Sequence, residues 1–129
     1  MLSEKQLLEF KMQLKERFCD VREEIRQELL RSDEQHFIDL AGQVHDLEEE
    51  SVADLLVDLN LALVDMHVEE IREIDASLMG IAQGAYGICM DCGTDIVEER
   101  LRANLTAKRC TSCQTLYERN HVGVQSHTL

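Results

Sequence analysis

Residues 89–93 read Cys-Met-Asp-Cys-Gly and residues 110–113 read Cys-Thr-Ser-Cys, so two C-x-x-C pairs stand seventeen residues apart. Two residues between ligands let one tight turn aim both sulfurs at a single ion, and a pair of such pairs at this spacing is a metal-site pattern. Gly93 supplies the permissive backbone that lets amide groups approach the thiolates. Four thiolates make a closed tetrahedral site for Zn²⁺ with no position left for water. Cys89, Cys92, Cys110 and Cys113 are therefore expected to hold one structural zinc ion and to do no catalysis. Metal binding of this kind contributes on the order of 10 kcal/mol to a segment too small to hold a core of its own. Four thiolates around a dication leave surplus negative charge, and Arg100, Arg102, Lys108 and Arg109 on the connecting stretch are candidates to offset it. The rival uses of C-x-x-C are a redox dithiol and an iron-sulfur cluster; a thioredoxin-like dithiol needs a βαβ setting that this chain does not offer.

Upstream of the cysteines the pattern is helical. Ser3 followed by Gln6 is a capping-box start, and apolar residues recur at Leu7, Phe10, Leu14, Phe18, Val21, Ile25 and Leu29. A second stripe runs through Val52, Leu56, Leu59, Leu63, Ile71, Ile74, Leu78 and Ile81, opened by Asp46 with Glu49 three residues on. Neither stripe can bury itself alone, and the stretch between them is short enough to fold one helix back on the other. The expected fold is all-α: a long antiparallel helical hairpin (coiled coil) with arms of about 40 to 50 Å and a small C-terminal C4 zinc finger. The hairpin is expected over residues 1–82 with its tip near 32–46, the finger over 83–120, and a flexible tail over 121–129. Phe37, Ile38, Leu40 and Ala41 have the alternative of extending the first helix until Gly42 ends it. Gly80, Gly84 and Gly87 break the second helix and lead into the finger, and a short helix through Leu116 and Tyr117 follows Cys113.

The chain has 129 residues, no Trp and no Pro, and only 4% aromatics, which leaves little material for a deep enzyme pocket. Charges interrupt every apolar stretch, so neither a signal peptide nor a membrane span is expected, and the cytoplasm is the default location. There thiols stay reduced, and the odd count of five cysteines agrees with metal binding rather than a disulfide frame. The formal net charge is −13, and all of the imbalance lies in residues 32–81, where fourteen acidic side chains face Arg72 alone. A nucleic-acid backbone would be repelled there, and direct DNA binding is not expected. The acidic stretch reads either as a solvated helix face or as a surface for a basic partner.

Tyr86-Gly87 before the first cysteine pair, Cys-Gly after it, Ile96, Arg100-Leu101, Ala103, Ala107 and Gln114 together make the segment resemble the DksA/TraR family of C4-type zinc-finger regulators of bacterial RNA polymerase. The helical hairpin ahead of the finger, with the Glu48-Glu49-Glu50 run, fits the same plan. The resemblance implies that the hairpin enters the polymerase secondary channel and sets its acidic tip near the catalytic magnesium, altering promoter-complex stability. The family's Asp-x-x-Asp-x-Ala tip element has no clean match: Leu40 and Gln43 stand where its two Asp fall. Asp39, His45 and Asp46 are the nearest candidates for contact, with Asp46 equally a helix cap. Leu105 replaces a Pro usual in family fingers. The chain starts almost directly on the first arm, so the resemblance does not carry over a response to the alarmone guanosine tetraphosphate. The implied partner is RNA polymerase, the implied molecule a monomer or weak dimer without enzymatic activity. A zinc-stabilised adaptor that never touches polymerase is the competing reading. Among weaker signals, His67 reads as a seam histidine, since the first arm supplies no His to complete a metal site with it, and Cys19 beside Arg17 and Arg22 reads as a small half-buried residue rather than a reactive thiol.

Overall fold

The computed structural model describes residues 2–31, 35–48, 51, 52, 54, 55 and 65–120. Helix α1 spans Glu4–Leu30, 27 residues or about 40 Å. The expected capping box opens it: Gln6 N–H donates to the Ser3 hydroxyl at 3.1 Å and Ser3 N–H to Gln6 Oε1 at 2.9 Å. Its apolar stripe is buried from Phe10 through Leu14, Phe18, Val21, Ile25 and Leu29, while Leu7 is half-buried. Steps of three and four keep these side chains on one face, where each removes roughly 1.5–3 kcal/mol worth of apolar surface from water.

Helix α3, Asp65–Gln83, runs antiparallel to α1. The pairing is marked by Arg17 Nε donating to Glu70 Oε1 at 2.6 Å and by His67 Nδ1 3.5 Å from Glu24 Oε2, and just past the end of α3 by Tyr86 against Phe10 with ring centroids 5.6 Å apart. The Arg17–Glu70 ion pair is partly exposed and worth at most about 1 kcal/mol, so the buried Leu14, Val68, Ile71 and Ile74 carry the contact. His67 is a half-buried seam residue. Leu56, Leu59 and Leu63 of the second stripe lie outside the described residues, as do Glu49, Glu50 and residues 121–129.

The region expected near the tip holds a helix. Residues 35–45 do not extend α1 but form a separate helix α2, Gln35–His45, folded back against it. Leu40, Ala41 and Val44 of α2 are buried in the same cluster as Val21, Ile25 and Leu29. Gly42 does not end this helix; it sits exposed, with nothing within 4 Å of where a Cβ would be. The cost of an interior glycine, roughly 1 kcal/mol, is outweighed by burial of the three side chains around it. Beyond α2, Arg22 Nη1 donates to Leu47 O at 3.0 Å and Val52 joins the core.

The finger contains α4, Glu98–Ala103, and α5, Thr111–Asn120. Among the described residues there is no strand, only an isolated bridge between Ile88 and Asp95. A second core joins Phe10 of α1 to Cys89, Ile96 and Leu101, with Leu2 and Tyr86 packed at its edge. Among the described residues no helix is long and apolar enough to cross a membrane.

Candidate metal centre

The path into the site begins where α3 stops. Ala85 N–H donates to Gly80 O at 2.8 Å and Gly84 N–H to Ile81 O at 3.3 Å, while Gly84 takes φ +76°, a left-handed cap that satisfies the last carbonyls. Gly80 itself remains inside the helix. Gly87 also has a positive φ of +81°, which favours glycine, and a Cβ there would lie 3.0 Å from Leu2 Cδ1, a side-chain end just ahead of α1 that would have to shift. The first cysteine pair then sits on a tight turn. Cys89 N–H donates to Thr94 O at 2.8 Å and Gly93 N–H to Cys89 O at 3.0 Å. Met90 N–H reaches Lys108 O at 2.9 Å and joins this turn to the second pair, where Gln114 N–H donates to Cys110 O at 2.9 Å.

The four sulfurs of Cys89, Cys92, Cys110 and Cys113 all lie within 4.8 Å of one another, and Cys92 and Cys110 are 3.8 Å apart. Zn–S bonds of about 2.3 Å in a regular tetrahedron place sulfurs about 3.8 Å apart, and a disulfide would need about 2.05 Å. The arrangement fits one structural zinc ion. The hydrogen bonds around the sulfurs shift the thiols unequally. Backbone hydrogen bonds at Cys110 and Cys92 bring the Cys89 thiol down from 9.0 to about 6, and the Thr94 hydroxyl, 2.9 Å from Cys92 Sγ, lowers the Cys92 thiol. Cys113 is held high because its proton is shared with Cys110 and then with the other sulfurs. A dication that replaces that proton lets all four sulfurs act as ligands.

Residues 84–119 match the model of the prokaryotic dksA/traR C4-type zinc finger. Over 114 residues the chain is 38% identical to an uncharacterized protein of Aquifex aeolicus, covering 88% of this chain and 72% of that one. Over 117 residues it is 28% identical to the RNA polymerase-binding transcription factor DksA of Salmonella typhimurium, covering 91% and 74%. This chain belongs to the DksA/TraR family. The structure of transcription factor DksA2 from Pseudomonas aeruginosa has the same fold, with a TM-score of 0.66 at 23% identity over 93% of this chain and 88% of the other.

The remaining sequence-derived candidates do not gather at the DksA/TraR finger. Asp39 is exposed on α2 and accepts from Gln35 Nε2 at 2.8 Å. His45 and Asp46 are exposed at the end of α2, with Asp46 Oδ1 3.0 Å from His45 Nδ1. The earliest described backbone bond of the next helical stretch, Val52 N–H to Glu48 O at 2.9 Å, starts two residues past Asp46. Cys19, expected half-buried, is exposed with Arg22 Nη2 4.0 Å from its sulfur, because it sits on the flank of α1 that neither α2 nor α3 covers. The arginines expected to offset the thiolates are bonded elsewhere. Arg100 Nε donates to Arg109 O at 2.9 Å, Arg102 lies over the Phe10 ring at 5.4 Å, and Arg109 Nε donates to Asp91 Oδ2 at 2.7 Å. Sequence reasoning missed Thr94, whose only signal is a hydroxyl two residues past a ligand. It also missed Phe10 and Leu2, which lie about eighty residues from the metal site in sequence.

Proposed function

We propose that this chain is a transcription regulator that binds bacterial RNA polymerase. In this reading the helical hairpin enters the secondary channel, and Cys89, Cys92, Cys110 and Cys113 hold one zinc ion that stiffens its base. The hairpin spans residues 1–82 and the finger 83–120. α2 and the residue that follows it carry Asp39, His45 and Asp46 to a basic lining of the channel. The acidic middle of the chain steers that encounter by charge complementarity. The protein acts as a regulator without enzymatic activity of its own, in the cytoplasm with its polymerase.

The observation that carries the reading is the joint between finger and hairpin: Phe10 of α1 is buried against Cys89 of the metal site. A finger so rooted serves as a base for the helices. Family membership and the DksA relatives, named as RNA polymerase-binding transcription factors, supply the partner. The test is direct binding to purified core polymerase, with and without a competitor that occupies the secondary channel. Competition is expected, and Asp39→Lys with Asp46→Lys is expected to weaken binding. If both reversals leave binding unchanged, the contact assignment is wrong. If zinc-loaded protein does not bind polymerase at all, the zinc-stabilised adaptor remains.

A further inference from the structure

α5 carries two of the four sulfurs close to its start, Cys113 inside it and Cys110 just before it, yet none of its ten residues is buried. Apolar packing of this half of the metal site is limited to Ala107, Cys110 and Cys113, which lie partly buried against the Phe10 cluster. Two polar links join it to the first cysteine pair. One is the backbone bond from Met90 N–H to Lys108 O. The other runs through Arg109, which immediately precedes Cys110. Its Nε donates to Asp91 Oδ2 at 2.7 Å, and its guanidinium carbon lies 3.9 Å from the centre of the Tyr117 ring. Asp91 stands between Cys89 and Cys92, and Tyr117 lies one turn past Cys113 on α5. The Arg109 side chain is 16% exposed and that of Asp91 44%, so the pair is shielded from water on the arginine side only. A third tie reaches its backbone, where Arg100 Nε donates to Arg109 O.

We propose that Arg109 is a positioning residue of the zinc site: it brackets the first cysteine pair, the second pair and α5 together, and so preorganises the four sulfurs and slows release of the metal. The proposal rests on the four cysteines being the zinc ligands. It differs from simple charge compensation, in which any cation near the tetrathiolate serves equally. Arginine suits the bracket because its planar group pairs with a carboxylate at its edge while its face stacks on an aromatic ring; the compact ammonium of lysine is attracted to either partner but has no planar face to span both. Partners that orient metal ligands without touching the ion typically change metal affinity by about 10- to 100-fold when removed.

The two mechanisms predict opposite results at Asp91. Loading neutral thiols with a dication and releasing their protons makes the site more negative, so charge compensation alone predicts that Asp91→Asn holds zinc at least as tightly as the parent. The bracket predicts faster loss. The experiment uses full-length, zinc-loaded protein and follows zinc transfer to an excess of a colorimetric chelator, with far-UV circular dichroism checking that each loaded variant is folded. Arg109→Gln and Asp91→Asn are each expected to release zinc about tenfold faster. The double variant should be no faster than the more severe single one, since both remove the same link. Arg109→Lys is expected to fall between. Asp91→Asn releasing zinc at the parental rate or more slowly, or Arg109→Lys matching the parent, overturns the proposal. Should Arg109→Gln fail to fold, the exposed Asp91→Asn variant decides alone. A parent protein with less than one equivalent of zinc would refute the ligand assignment; one full equivalent with unchanged rates would refute only the bracket.

Discussion

Phe10 lies on α1, far in sequence from the cysteines, and is 1% exposed between Tyr86, Leu101, Ile96 and Cys89. Replacing it with alanine removes a ring whose burial is worth roughly 2–3 kcal/mol. It also removes the tilted pairing with Tyr86, about 0.5–1.5 kcal/mol, and the Arg102 cation over its face, about 0.5–1 kcal/mol. These terms overlap, and the measured range for buried Phe→Ala, about 3–5 kcal/mol, bounds the result. Because the ring closes the core that contains Cys89, two readouts should move together: the urea midpoint of the zinc-loaded protein should fall, and zinc should pass faster to a chelator. A stability loss below about 1 kcal/mol, the size of an ordinary substitution, would show that the ring does not anchor α1 in the core around Cys89. A full loss with unchanged zinc release would show that the hairpin and the finger are energetically separate.

Leu40→Ala should cost about 2–5 kcal/mol in chemical denaturation, because the residue is 4% exposed against α1; a change within ±0.5 kcal/mol, typical of a surface site, would mean that α2 does not pack there. Tyr86→Phe should cost about 1 kcal/mol through loss of the 2.8 Å bond from its hydroxyl to Leu105 O. Burial raises the Tyr86 phenol from 10.0 to about 12, so its contribution is intact below pH 10 and disappears as pH rises through about 12, the folded state holding the proton longer than the unfolded one. Near-ultraviolet titration of phenolate in the parent and in Tyr86→Phe checks this, and a Tyr86 transition near 10 would contradict it. Strong chelation should remove stabilisation on the order of 10 kcal/mol from the finger; a thermal transition that chelator leaves unmoved would deny zinc its structural role.

Much of the finger was legible before any coordinates, because two C-x-x-C pairs at this spacing leave little freedom in where four sulfurs can meet. The α1 stripe was legible for a similar reason: a 3.6-residue period puts Phe10 through Leu29 on one face whatever covers it. Gly42 was misleading. Read locally it stops a helix, but α2 passes through it because Leu40, Ala41 and Val44 gain more by burial against α1 than the glycine costs. Cys19 was misplaced for a related reason, since a residue beside a stripe is covered only if a neighbouring helix reaches that far round.

The two long helical arms and the four sulfurs that converge at their base follow from the chain itself, since periodicity and ligand spacing are properties of neighbouring residues. The return of α2 along α1, the place of Phe10 and Leu2 in the wall of the metal site, and the assignment of Arg109 to Asp91 rather than to the thiolates were decided only by the tertiary structure. Those are choices among partners distant in sequence, settled by which surfaces can be buried together and which charges lie within hydrogen-bond reach once the helices have packed.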